Sequence, residues 1–190
     1  MAEDDILDLT GHLLVAMPGM GDPRFERSVI LLCKHSSDGA MGLIVNKPAP
    51  EVALGDLLDQ LEIDAKGRCR SMPVHFGGPV ETSRGFVLHG PAYRSRLQSM
   101  TVTPEFSMTA TMDVLEDLAE GEGPEPALAL LGYAGWGPGQ LEDEIGRNDW
   151  LTAQSDPSLV FSTADDSKWA AAVKSLGIDP LGLSSAAGRA

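Results

Sequence analysis

The sequence predicts an α+β fold, and three observations carry that prediction. Apolar runs of strand length are joined by hairpin signals more often than they alternate with helices, which argues against a doubly wound parallel sheet. Glycine and proline are frequent, at 21 and 13 of 190 residues, so elements are short and connections tight. Helical periodicity is confined to a few short segments bounded by caps or breakers.

In chain order, His12–Met17 reads as a buried strand ended by Pro18-Gly19-Met20-Gly21. Asp22-Pro23 pairs an N-cap carboxylate with proline at the first helical position and starts a single turn. Ser28–His35 is β-rich and continuous, as expected of a central strand covered on both faces. Asp38-Gly39 signals a hairpin turn, and Ala40–Asn46 returns as the partner strand. Leu54, Leu57, Leu58 and Leu61 recur at helical spacing over 53–61. Val74–Phe76 and Gly85–His89 read as strands around a Gly77-Gly78-Pro79 turn. Thr111–Glu120 is a capped helix ended by Gly121, and 121–126 is a loop. Ala127–Tyr133 and Val160–Thr163 read as further strands. Asp165–Leu176 is a helix with Trp169, Val173 and Leu176 inward. No repeat or linker divides the chain, so one domain over 1–190 is expected. A chain of this length buries roughly 70% of its unfolded surface and folds without a disulfide or metal.

Fourteen basic residues against 28 acidic ones give a net charge of −14. That field repels phosphate backbones and anionic membrane surfaces, and the basic groups Lys66/Arg68/Arg70 and Arg84/Arg94/Arg96 are small and interrupted. Direct nucleic-acid binding and membrane association are therefore not expected. Cys33 and Cys69 have no CxxC or Cys/His spacing, so no metal centre or disulfide framework is indicated. The acidic start, with Glu3, Asp4, Asp5 and Asp8, is the wrong charge for a secretory signal. The first apolar run, Leu13–Met17, is too short to span a bilayer, which makes the cytoplasm the default location.

The phosphate-binding, dinucleotide, serine-hydrolase and zinc-protease templates are all absent. The densest stretch is Gly132–Trp150, where four glycines within eight residues lead into a short helix with Leu141 and Ile145 one turn apart. Its structural reading is simple: Glu142, Asp143 and Glu144 complement the helix dipole while Trp136 and Trp150 enter the core. Its functional reading is a recognition loop presenting Trp136 and Gln140. His35 and Asn46, at the ends of the two hairpin strands, are expected to lie near each other on the same face. Cys69, flanked by Arg68 and Arg70, is a candidate redox thiol if exposed. Gly77–Gly85, with Arg84, reads as a tight turn or an anion-binding connection.

The ordered set Met17-Pro18-Gly19-Met20, Phe25–His35, Gly42–Pro48, Gly77–Val80, Gly85–His89, Gly132–Glu142, Asn148-Asp149-Trp150 and the closing Ser184–Ala190 resembles the bacterial YqgE/AlgH family over nearly the whole chain. The resemblance implies a bent, bifurcated, mostly antiparallel sheet forming a pseudo-barrel, with short helices packed outside. Members are often labelled transcriptional regulators, and the family offers no settled reaction, cofactor or catalytic residue to carry over. Cys33 matches its strand motif, whereas Cys69 lies outside every matching segment.

The resulting expectation is a non-enzymatic binding or regulatory protein without a cofactor. It would act on a protein partner or a small ligand, and on transcription only indirectly, through a face containing Trp136, Gln140, Glu142, His35 and Asn46. The alternative is an enzyme or small-ligand binder in a cleft beside Gly132–Trp150, with Glu142 or Glu144 paired to His35.

Overall fold

The computed structural model describes residues 7–183; the acidic residues Glu3, Asp4 and Asp5 and the closing Ser184–Ala190 segment lie outside them. The strands are β1 (Leu13–Ala16), β2 (Val29–Ser36), β3 (Gly39–Ile44), β4 (Pro48–Ala53), β5 (Pro73–Phe76), β6 (Val80–His89), β7 (Met100–Thr103), β8 (Phe106–Thr109), β9 (Ala127–Trp136) and β10 (Trp150–Ala153). The helices are α1 (Leu54–Gln60), α2 (Met112–Glu120), α3 (Gln140–Gly146) and α4 (Asp165–Ser175).

The strand order β10-β1-β2-β3-β9-β6-β8-β7 is antiparallel throughout. The branch point is β9. Its second half pairs with β3 through Ala134–Trp136, while on the same edge its first half pairs in parallel with β5 through Ala129–Leu131. β5 in turn carries β4. Between the halves stands Gly132, at φ +75°, where a Cβ would collide with the Gly78 carbonyl oxygen. Glycine at both positions lets two backbones touch, and that contact is where the sheet forks. The sheet is therefore bifurcated as the resemblance implies, but it does not close. Its outer strands β10 and β7 are not paired with each other, although one core unites Leu13 and Val15 of β1 with Val102 and Phe106 at the other end.

The apolar run of β2 is explained by cover on both faces. Val29, Leu31 and Cys33 join the inner core, which α4 seals with Trp169, Ala172 and Val173. Ile30 and Leu32 face outward, into a cluster with Trp136, Leu141 and Trp150 beneath α3. A third core lies under α1 and α2, where Leu54, Leu58, Val114 and Leu118 pack on Val74, Val87 and Ala129. Each such side chain contributes about 1.5–3 kcal/mol when fully buried.

Two expectations are corrected here. Val160–Thr163 is not a strand: Ser158–Ser162 forms a π-helical turn, because Asp156 accepts the Ser158 N–H (3.0 Å) and Pro157 adopts a helical conformation. The hairpin loop is Ser37-Asp38, one residue earlier than Asp38-Gly39, so Gly39 already opens β3.

Candidate functional site

The Gly132–Trp150 stretch folds as β9, a Gly137-Pro138-Gly139 turn and α3. Gln140 is exposed, and its Oε1 accepts the Gly137 N–H (3.0 Å), closing the turn. Trp136 is only 7% exposed and lies in the outer core. Its indole N–H donates to Glu144 Oε2 at 2.7 Å, and Trp150 donates to the same oxygen at 2.9 Å. Gln140 Nε2 donates to Glu144 Oε1 at 3.2 Å. Glu144 is thus the acceptor that ties α3 to two buried tryptophans. The expectation that Trp136 presents its ring to a ligand is corrected, because that ring faces the helix above it.

His35 and Glu142 do converge, with Nε2 and Oε1 2.6 Å apart. Nδ1, however, accepts the backbone N–H of Leu9 (3.1 Å), which places the neutral ring's proton on Nε2, donated to Glu142. Both ring nitrogens are engaged, and the side chain is 1% exposed. A general base needs a free lone pair facing its substrate, and this ring has none. Burial opposes ionisation of Glu142, but hydrogen bonds from its own backbone N–H and from His35 hold its carboxyl below the usual carboxylate range.

Asn46 does not join this face. In the antiparallel hairpin His35 pairs with Ala40 beside the turn, whereas Ile30 pairs with Ile44 at the open end. Asn46 lies beyond that open end, where its Oδ1 accepts the Val29 N–H (2.8 Å) and its Nδ2 donates to the Arg27 carbonyl (2.9 Å). The correction follows from hairpin geometry: the ends of the two strands that are remote from the turn meet each other, not the turn.

A different concavity opens on the inner face. The pairing of β2 with β3 shifts at Cys33, and this bulge turns Lys34 inward while His35 points outward to α3. Lys34 stands opposite Met41, and Met41 opposite Gly135 of β9. Together with Tyr133 and Val80 these residues border a groove of about 640 Å³. Its far side is formed by Arg84, Phe86, Met100 and Met108. Phe86 and Tyr133 meet edge to face, with centroids 6.0 Å apart and planes at 81°. The Arg84 guanidinium lies over the Phe86 ring at 5.1 Å. Of the residues singled out from sequence, Arg84 and Trp136 border this groove, Trp136 at its rim. A smaller cleft of about 250 Å³ lies between α1 and α2, bordered by Leu57, Leu61, Met112 and Leu115.

Two buried polar clusters were not identified from sequence. Lys168, 1% exposed, donates to the Val45 carbonyl (2.7 Å) and to Asp165 Oδ1 (2.8 Å). Asp165 Oδ2 meets His75 Nε2 at 2.9 Å. Burial works against the Asp165 carboxylate, but the Lys168 hydrogen bond and the charges of His75 and Lys168 hold its carboxyl below the usual range. Asp113 accepts from the Ser95 and Thr111 hydroxyls, both at 2.5 Å, and from the Arg96 N–H at 2.7 Å. These hydrogen bonds outweigh desolvation and bring its pKa down to about 2. The i,i+3 spacing of Asp165 and Lys168 was the one available hint. Burial pushes the Cys33 thiol up to about 12, which leaves it protonated. Cys69 is half-buried with its Sγ 3.6 Å from the Lys66 carbonyl, and the neighbouring Arg70 pairs with Asp59 at 2.7 Å.

The profile of a family described as AlgH-like matches residues 13–181. The chain belongs to that family. A UPF0301 protein of Ruegeria pomeroyi is 62% identical over 97% of this chain and all of its own length. A UPF0301 protein of Paracoccus denitrificans is 56% identical over 98% of this chain and all of its own. The solution structure of the AlgH protein from Pseudomonas aeruginosa superposes with a TM-score of 0.79 at 40% identity, covering 94% of both chains. Protein DIP2367 of Corynebacterium diphtheriae shares the fold, with a TM-score of 0.69 at 23% identity over 87% of this chain and 86% of its own. Among the described residues no helix is long and apolar enough to cross a membrane.

Proposed function

We propose that this chain is a non-enzymatic, cytoplasmic binding protein, folded as one domain over 1–190, whose ligand lies in the inner groove between Lys34 and Arg84. Any effect on transcription is indirect, exerted through the bound ligand or a protein partner. The observation that carries this reading is a contrast between the two faces of one sheet. On the outer face, His35, Glu142, Glu144, Trp136 and Gln140 spend their hydrogen bonds on each other and on the backbone. On the inner face, thioethers, aromatic rings and two cations line an open concavity, the mixture of apolar wall and few polar groups that ligand sites share. The enzyme alternative has the required proximity of His35 and Glu142 but lacks a free ring nitrogen.

A thermal-shift screen of small molecules tests the proposal. A ligand at about 100 times its Kd stabilises by about 2.7 kcal/mol, a rise of roughly 5–10 °C for a chain of this size. Gly135 supplies the control, since a Cβ there meets only Tyr133 at 3.5 Å and Val80 at 3.9 Å. Gly135→Val fills the groove and is expected to abolish the shift, while Gln140→Ala leaves it intact. Hits that ignore Gly135→Val but vanish in Gln140→Ala return the site to α3 and refute the reading.

A further inference from the structure

Resting on the binding-protein reading, we propose that the inner groove takes a small organic anion with an aromatic body, its acid group held between Lys34 and Arg84.

The floor selects the body. Met41, Met100 and Met108 present flexible, polarisable thioethers, which pack well against ring edges and adapt to irregular shapes. The edge-to-face pair of Phe86 and Tyr133 makes an aromatic corner beside them, and Gly135 leaves the middle of the floor without a side chain. Lys34 and Arg84 stand on strands three spacings apart, in the order β2-β3-β9-β6. At about 4.8 Å per spacing the strands lie roughly 14 Å apart, and Arg84, next to the Gly85–Leu131 pair, is displaced about 10 Å along β9 from the level of Lys34 and Gly135. The backbones are thus roughly 17 Å apart on the diagonal, a span that two long basic side chains narrow from both sides.

The charges select the acid. This chain has 14 basic against 28 acidic residues, and six basic side chains among the described residues pair with a carboxylate: Arg24 with Asp22, Arg70 with Asp59, Arg84 with Glu81, Arg96 with Glu116 and Asp117, Arg147 with Asp149, and Lys168 with Asp165. Among the described residues Lys34 makes no salt bridge. Arg84 makes only a 3.4 Å contact to Glu81, both side chains being more than half exposed. The one carboxylate beside the groove among the described residues is Glu81, at its Arg84 end near the Tyr133 hydroxyl, and none lies at the Lys34 end. Arg84 is already stacked on Phe86, an orientation that fixes the plane of its guanidinium for a carboxylate. The bulge at Cys33 is what brings Lys34 to the same face. A large acidic partner would meet the field of the whole −14 chain, whereas a small anion inside the groove lies within a screening length of both cations. That difference favours a small molecule over an acidic protein.

The test uses the full chain with ¹³C-methyl methionine, titrated in parallel with 2-naphthoate and with the uncharged 2-naphthalenemethanol. Naphthoate is expected to move the methyl signals of Met41, Met100 and Met108 and to leave those of Met17, Met20 and Met72 in place. It is expected to bind at least tenfold more tightly than the alcohol, a difference of about 1.4 kcal/mol. The double variant K34A/R84A should bring the ratio close to one without weakening the alcohol, and Gly135→Val should remove both. If alcohol and acid bind the groove equally, the anion assignment is overturned while groove binding stands. If neither probe moves the three methyls, the assignment and the groove reading fall together.

Discussion

Replacing Glu144 by alanine should cost more than any other single change on α3. In the native structure its Oε2 accepts two indole N–H groups, from Trp136 at 2.7 Å and Trp150 at 2.9 Å. Both tryptophans are almost fully buried, so truncation leaves two indole donors without partners in an apolar cluster. Each orphaned donor costs about 1–3 kcal/mol. A further loss of a few tenths comes from the exposed Gln140 bond. The expected destabilisation of Glu144→Ala is therefore about 2–6 kcal/mol, or roughly 5–20 °C in Tm for a chain of this length. Glu144→Gln keeps one carbonyl oxygen for the indoles and should cost about 1–2 kcal/mol, the charge-assisted part of the two bonds. Urea unfolding followed by tryptophan fluorescence measures both, and the emission should move to the red in the alanine variant as water reaches the indoles. If Glu144→Ala lies within about 1 kcal/mol of the parent, the two-indole clamp is not what holds α3, and the structural reading of this segment is wrong.

Three further outcomes are expected. Lys168→Met leaves Asp165 with His75 alone and the Val45 carbonyl unpaired, and should destabilise by about 2–4 kcal/mol; adding Asp165→Asn should recover part of that loss in a double-mutant cycle. Gly132→Ala places a Cβ at φ +75° against the Gly78 carbonyl, so a loss of at least about 2 kcal/mol is expected by chemical denaturation, and a neutral outcome would show that the fork relaxes freely. Asp113 titrates near 2 in the folded chain against 3.8 in the unfolded one. A depressed carboxylate stabilises above its unfolded pKa, and that contribution fades as pH falls from about 4 to about 2. The difference in stability between the parent and Asp113→Asn should therefore shrink across that window, while a pH-independent difference would remove Asp113 from the acid response.

Much of the fold was legible because its signals are local. The continuous apolar run of β2 announced cover on both faces, and cores containing α4 and α3 provide it. Asp22-Pro23 and Gly121 marked a helical start and a helix end where they occur. What escaped was set by tertiary context. Pro48–Ala53 carries two prolines and no alternation, yet it pairs as β4 because it lies at the fork beside β5. Val160–Thr163 has strand chemistry but follows a capping Asp156-Pro157. Within the site, the attraction of His35 for Glu142 was foreseen as one possibility. The bond from Leu9 that immobilises the ring was not, since it joins residues 26 apart in sequence. Lys34 was overlooked because plain alternation assigns it to the opposite face, and one bulged residue reverses that assignment. Met41, Met100 and Met108 come from three strands that only the bent sheet brings together.

The most direct test of the central claim is a backbone and methyl chemical-shift map of the chain saturated with a ligand that stabilises it. Binding in the inner groove predicts perturbations concentrated at Lys34, Met41, Arg84, Phe86, Met108 and Tyr133, with residues 140–146 unmoved. A map centred instead on Gln140, Glu142 and His35 would contradict it and make the outer face the site.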